Sequence, residues 1–554
     1  MLSRMETSER YFTKMDPMKM AKLGIIAVGV FLTSAGLPAM ETMKASQRPN
    51  IVVYLIDDLG WNQISAGQGT MGAHSEVFRT PNLEKLARGG LSFTQAYMQP
   101  NCAPSRAALL TGQYPARVHN DVYVVGHLNR NKKPGITREQ AKFKGPKQSP
   151  DVAAGAITIA EAMRQNGYAT AHIGKYHVGG HRGESTLPGN QGFDINIGGY
   201  YQGNQPECFA REVKGEWKFP GLGRGDFDRY ASPYTRAYTQ KHGIPSGQIG
   251  KPKHVCDALA DAMEATIARL NEQDRPFYLQ LHAYAVHGPV RSRPDLKAAA
   301  LNQLDGKEKR KAELAGFIAG MDQTLGRLVR ALEDPNGDGD RSDSIAGDTL
   351  ILFTSDNGGT HFDNLPLRGV KGMFTEGGIR VPLVASWPGV VPPGTVSKHL
   401  VHAVDFYPTF LELAGNQWGP ADAKHPLDGE SFAGVLRWPE RPRQQRGPIF
   451  YLFPGYMDYR AQPCVAAIDE LGGQCYKLFY FYEADAWELY NLCEDIGESR
   501  DLIAEQPEIA ARISKKIHAW LQQSHPTWKP KYPLDKVDGK PVPPPYIGAS
   551  FIGR

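Results

Sequence analysis

The stretch Ile51-Val52-Val53-Tyr54-Leu55-Ile56-Asp57-Asp58-Leu59-Gly60 is an unbroken apolar run that ends on two carboxylates. A strand with one wet face alternates apolar and polar residues, so a run without alternation predicts a strand buried on both faces. Phe277-Tyr278-Leu279-Gln280-Leu281 and Leu350-Ile351-Leu352-Phe353 repeat the pattern, and a fourth segment at 169–173 leads, like them, into polar residues. Between the runs lie helix-like stretches at 81–88, 158–166 and 258–271, the second closing on Gly167. This alternation predicts an α/β domain with a large mixed, mostly parallel sheet sandwiched by helices. Folds of that kind bind ligands beyond the carboxyl ends of their strands.

Chemistry is therefore expected where the runs end. The first delivers Asp57 and Asp58, and the last leads into Asp356-Asn357-Gly358-Gly359. The middle run passes His282 to reach His287-Gly288-Pro289, and the fourth segment runs into Gly174-Lys175-Tyr176-His177. Asp57, Asp58, Asp356 and Asn357 offer oxygen only, which suits a hard cation; carboxylates with an amide favour the flexible calcium shell. An Asp-Asp pair alone reads as a strand-end turn, but an Asp-Asn pair at another strand end makes a shared ion the better reading. The segment Asp334-Pro335-Asn336-Gly337-Asp338-Gly339-Asp340 resembles the first half of an EF-hand loop, yet Ile345 stands where a bidentate Glu is needed. A solvated Asp/Gly turn is the preferred reading there, with a second calcium ion as the alternative.

A chain of 554 residues implies a large domain with a smaller one beside it. Hydrophobic residues at 41% and charged residues at 22% exclude a disordered or fibrous protein. The net charge of +5 is spread without a basic stripe and interleaved aromatics, which argues against nucleic acid as a partner. Lys14, Lys19 and Lys22 precede an apolar run at 23–37 and then Leu37-Pro38-Ala39, the order of a secretory signal peptide. The expected organisation is a signal peptide at 1–39, the α/β domain at 40–431 and an α+β subdomain at 432–554. Within the last, 449–451, 476–482 and 487–492 read as a small antiparallel sheet and 507–523 as a helix packed on it. The mature chain is expected to carry no membrane span and to be secreted or periplasmic. Six cysteines form no C-x-x-C, and Cys464 and Cys475 are close enough in sequence to bridge in an oxidising compartment.

Cys102-Ala103-Pro104-Ser105-Arg106 is followed by Leu109-Leu110-Thr111-Gly112, a long signature that resembles that of the formylglycine-dependent sulfatases, members of the alkaline-phosphatase-like superfamily. Gly174-Lys175-Tyr176-His177-Val178-Gly179 is similar to that family's G-K-W-H-x-G, with Tyr176 in place of Trp. His287-Gly288-Pro289 is similar to its H-x-P-H, with Val290 in place of the second histidine. Pro366-Leu367-Arg368-Gly369-Val370-Lys371, the 376–382 stretch, and Trp487-Glu488-Leu489-Tyr490-Asn491-Leu492 with Glu498 complete a resemblance over residues 48–520.

The resemblance implies a sulfuric ester hydrolase in which Cys102 is oxidised to formylglycine by a formylglycine-generating or anaerobic sulfatase-maturing enzyme. It implies one calcium ion held by Asp57, Asp58, residue 102, Asp356 and Asn357. Arg106 and Lys175 would hold the sulfate, His177 would be the base, and His287 or Lys371 would protonate the leaving oxygen. His361 and Arg368 are further substrate-binding candidates. A sulfated polysaccharide or its oligosaccharides is the expected substrate. A phosphodiester or phosphonate monoester hydrolase of the same superfamily is the first alternative. A non-catalytic glycan-binding relative is the second, and against it no nucleophile, metal or cation position is lost.

Overall fold

The computed structural model describes residues 48–547 apart from 67–74, 125–128, 132–139, 361–363, 416–424, 441–445 and 459. The expected signal peptide at 1–39 and the candidate His361 lie outside the described residues. Eight strands build the main sheet: β1 (Asn50–Ile56), β2 (Leu91–Phe93), β3 (Ala169–Gly174), β4 (Ile195–Ile197), β5 (Phe277–His282), β6 (Thr349–Ser355), β7 (Leu383–Ser386) and β8 (Thr395–Ser397). Their order is β8-β2-β7-β6-β1-β5-β3-β4. β1 pairs in parallel with β5 and β6, β5 with β3, and β3 with β4, whereas β7 runs antiparallel to both β6 and β2. The mixed, mostly parallel sheet expected from the apolar runs is the one that forms. Every residue of β5 and β6, and all of β1 after Asn50, is buried, as strands covered on both faces require.

The helices that cover it are α1 (Pro81–Arg88), α2 (Cys102–Thr111), α3 (Ile159–Gln165), α4 (Val255–Asn271), α5 (Lys309–Glu333) and α6 (Phe406–Leu413). Leu83, Met263 and Phe317 bring α1, α4 and α5 to one face of the sheet. Leu109, Ile159 and Phe410 bring α2, α3 and α6 to the other. Thr158 starts α3 with a capping box: its hydroxyl accepts from the Glu161 amide at 3.1 Å and the Glu161 carboxylate accepts from the Thr158 amide at 2.8 Å.

The second sheet is antiparallel, in the order β9 (Ile449–Phe453), β10 (Cys464–Leu471), β11 (Gln474–Phe481), β12 (Ala486–Asn491). Helix α7 (Pro507–Leu521) packs on it, with Trp520 stacked on Phe450 at 4.8 Å. This sheet shares one hydrophobic core with the α2 face of the main sheet. The Cys464–Cys475 bridge is not formed, and the hairpin register explains why. Cys464 pairs with Phe481 and Cys475 with Glu470, which puts the cysteines at opposite ends of the ladder, about 20 Å apart and beyond disulfide reach. All six cysteines are free thiols. The 334–340 segment is an exposed turn in which Asp334 accepts from the amides of Gly337 and Gly339, and Asp338 from that of Asp340.

Candidate active site

Three strand ends and one helix start converge. Asp57 and Asp58 leave β1, Asp356 and Asn357 leave β6, and Lys175 and His177 follow β3. Cys102 opens α2, whose ten residues are all buried, and Arg106 lies one turn further on. The amino terminus of a helix carries partial positive charge, so residue 102 sits where an anion is favoured.

The contacts are short and almost all charged. Lys175 Nζ is 2.5 Å from Asp57 Oδ2, and Lys371 Nζ is 2.6 Å from Asp58 Oδ1 and 3.1 Å from Cys102 Sγ. Arg106 Nε donates to Asp356 Oδ2 at 2.9 Å, and Asn357 Nδ2 to Asp58 Oδ1 at 2.9 Å. His287 Nε2 lies 3.7 Å from Asp58 Oδ2. Ligand atoms of Asp57, Asp58, Cys102 and Asp356 all lie within 4.8 Å of one another. Asp57 Oδ1 and Asn357 Oδ1 are buried with no hydrogen-bond partner. Such an orphaned acceptor is unfavourable by about 1–3 kcal/mol, and a cation among these oxygens would remove the penalty. An oxygen-rich set of three carboxylates and an amide fits a hard divalent ion.

Burial dominates the protonation states. It pushes the Cys102 thiol up to about 12 against the pull of Lys175 and Lys371, so the encoded residue is an inert thiol. Burial, then Lys175 and Arg106, hold His177 well below the usual imidazole range. His287 falls to about 4, again through burial, despite Asp58. Burial also opposes charge on Asp58, but Lys371, His287 and Lys175 together outweigh it and hold that carboxyl well below its usual range. Asp356 is raised to about 6 by burial and by Asp57. Burial opposes charge on Lys371 too, and Asp58 more than offsets it, leaving its pKa raised.

His177 adopts a left-handed backbone conformation with φ of 74°, and its amide donates to the Tyr200 carbonyl at 2.9 Å. Its ring needs the glycine at 203, where a Cβ would lie 2.3 Å from Nε2. The structure thus brings together Asp57, Asp58, Cys102, Arg106, Lys175, Asp356, Asn357, Lys371 and His287, with His177 beside them. Arg368 stands elsewhere: it donates to the Tyr490 hydroxyl at 3.2 Å, covers that ring at 4.8 Å and lies 3.6 Å from Glu498.

Sequence reasoning missed two contributors. Thr360 Oγ1 donates to Asp58 Oδ2 at 3.0 Å; its place in the turn after Asp356 was the available signal. Lys477 of β11 bridges Glu376 at 3.0 Å and Glu498 at 2.9 Å, all three side chains fully buried. That bridge pins the segment carrying Lys371 to the second sheet. Lys477→Met should remove the cation that Glu376 and Glu498 share, leaving Glu376 to Arg380 and Glu498 to Arg368, and destabilise the fold by about 3 kcal/mol, read as a lowered melting midpoint.

The fold and this constellation define a sulfatase, and the chain belongs to the Sulfatase family, which matches residues 49–416. Residues 370–526 match the family described as N-sulphoglucosamine sulphohydrolase, C-terminal. The protein is a sulfuric ester hydrolase of the alkaline-phosphatase-like superfamily. A protein named Sulfatase from Formosa agariphila is 38% identical to it, over 91% of this chain and 94% of that one. Human arylsulfatase A is 28% identical, over 85% of this chain and 83% of its own. Among solved structures, Ps i-CgsB in complex with k-i-k-neocarrahexaose superposes with a TM-score of 0.64 at 26% identity, covering 88% of this chain and 95% of that one.

Proposed function

We propose that the protein is an exported, calcium-dependent sulfatase that removes sulfate from a carbohydrate and works through formylglycine at residue 102. The observation that carries this is Cys102 itself, a buried thiol at a helix start, 3.1 Å from Lys371 and ringed by three carboxylates and three cations. Once oxidised, residue 102 supplies a hydrated aldehyde as nucleophile; calcium supplies charge to the sulfate oxygens.

The chain's own residues divide the remaining work. Arg106, whose Nη2 lies 2.8 Å from Asp356 Oδ2, and Lys175, 2.5 Å from Asp57 Oδ2, are the fixed cations that would hold sulfate oxygens. His177, kept neutral and with Nδ1 unpartnered, is the base that takes a proton from residue 102. His287 Nδ1 faces the Gly288 carbonyl at 2.7 Å, so Nδ1 carries the hydrogen and Nε2 is bare. Lys371, which retains its proton, is therefore favoured over His287 as donor to the leaving oxygen.

A carbohydrate substrate is supported by the aromatic surface beside His177. Tyr201 is 38% exposed and its ring lies 4.4 Å from that of Tyr200, a platform suited to a sugar face. One solved structure that this chain resembles, Ps i-CgsB, is in complex with k-i-k-neocarrahexaose. Export is supported by the basic, apolar and small-residue order at 14–39. Release of sulfate and of phosphate from matched aryl esters tests the reaction, followed by a panel of sulfated oligosaccharides for the substrate. Sulfate release should exceed phosphate release by about 100-fold or more. The reverse ratio would assign the chain to the phosphodiester or phosphonate hydrolases.

A further inference from the structure

Behind the site runs a polar ladder in an otherwise apolar layer. On the face of β5 that meets α2, Tyr278, Gln280 and His282 occupy every second position, and His172 of β3 pairs with Gln280. Their neighbours on β1 and β6 along the same face are Val53, Leu55, Leu350 and Leu352. His172 is 0% and His282 3% exposed. His172 Nδ1 lies 3.1 Å from Gln280 Oε1, and Gln280 Nε2 donates to the Tyr278 hydroxyl at 2.8 Å. The two imidazoles stand edge to face, 5.0 Å apart. Burying this many polar groups is unfavourable unless their partners require them.

The ladder ends on Arg106. Its Nη1 donates to His282 Nδ1 at 3.3 Å and to the Lys175 carbonyl at 2.5 Å, while Nε donates to Asp356. A guanidinium only donates, so His282 Nδ1 is the bare nitrogen and Nε2 carries the hydrogen. The carbonyl of His282 accepts from the Lys175 amide at 3.0 Å. Gly174, at φ of 97°, makes that approach feasible, because a Cβ there would lie 2.0 Å from the His282 carbonyl oxygen. One residue of β5 therefore fixes both cations, Lys175 through its main chain and Arg106 through its ring. Neither His172 nor His282 belongs to any motif matched in the sequence.

We propose that His282 is a positioning residue for Arg106: its neutral ring holds Nη1 while Asp356 Oδ2 lies 2.8 Å from Nη2, so that the guanidinium keeps a single orientation at the sulfate site. The proposal rests on the reading that Arg106 binds sulfate. It is tested in the full-length, matured, calcium-loaded enzyme with an aryl sulfate, using His282→Phe and His282→Gln, alone and with Arg106→Lys. His282→Phe keeps a ring but no acceptor and should lower kcat/KM by about 10- to 100-fold, whereas His282→Gln, whose amide oxygen accepts, should recover most of it. In the Arg106→Lys background His282→Phe should add no more than about a twofold loss. Equal losses in both backgrounds, or full activity of His282→Phe, would overturn the proposal by reducing the ring to packing. Nitrogen NMR of the labelled wild-type enzyme gives a readout independent of folding: a protonated Nδ1 on His282 would also sink the idea. A wild-type enzyme inert on sulfate esters would instead refute the sulfatase reading itself.

Discussion

Cys102→Ala is expected to lose about ten-thousand-fold or more in sulfate-ester turnover while melting within a few degrees of the parent. The two halves of that result have separate causes. Turnover fails because, among the described residues, Cys102 is the side chain within reach of both Lys371 and Asp58 that can be converted to an aldehyde hydrate. Stability persists because alanine is a good helix former at the start of α2 and because Asp58 keeps Lys371 paired at 2.6 Å without the sulfur. Burial pushes the unmodified thiol up to about 12, which disfavours the thiolate as nucleophile. Mass measurement of the peptide containing residue 102 completes the test. Full activity in protein whose residue 102 has the mass of plain cysteine would place the chemistry on sulfur and refute the formylglycine reading.

Removal of divalent cations should have the next largest effect. Exhaustive chelation is expected to lower activity by about 1,000-fold, with calcium restoring it and magnesium restoring less. The fold should survive with a lowered melting midpoint, because Arg106, Lys175 and Lys371 continue to neutralise Asp356, Asp57 and Asp58. Chelation would leave the Asp57 and Asn357 oxygens orphaned and the sulfate without the ion's charge, with only Arg106 and Lys175 to hold it. Asp58→Asn should resemble the chelated enzyme and not be rescued by calcium at ordinary concentration. Undiminished turnover after chelation, checked by elemental analysis, would rule out the metal-dependent mechanism.

The architecture was legible because its central strands are written in an unusual hand. β1, β5 and β6 are continuous apolar runs, and each was placed to within a residue or two of its bounds. The carboxyl ends of β1 and β6 point to the acidic pairs and that of β3 to Lys175 and His177, and these do converge. Relations that arise only when distant segments pack were not legible. Lys477 lies in a stretch rich in Tyr and Phe, and nothing local says that it faces two buried glutamates. Cys464 and Cys475 are near in sequence, but a hairpin register decides distance and separates them. Arg368 shares a motif with Lys371, yet the turn between them sends one to Cys102 and the other to Tyr490.

The burial of α2 bears on timing. All ten of its residues are buried and Cys102 is only 2% exposed, so no second enzyme can grip the 102–112 stretch once the chain has closed. If an external catalyst writes the aldehyde, it must do so on the nascent or still unfolded polypeptide. Competence is then settled before there is a native protein to assay. A purified batch that missed the step would be folded, stable and permanently idle, and supplying the absent maturing partner afterwards would rescue only chains yet to be made.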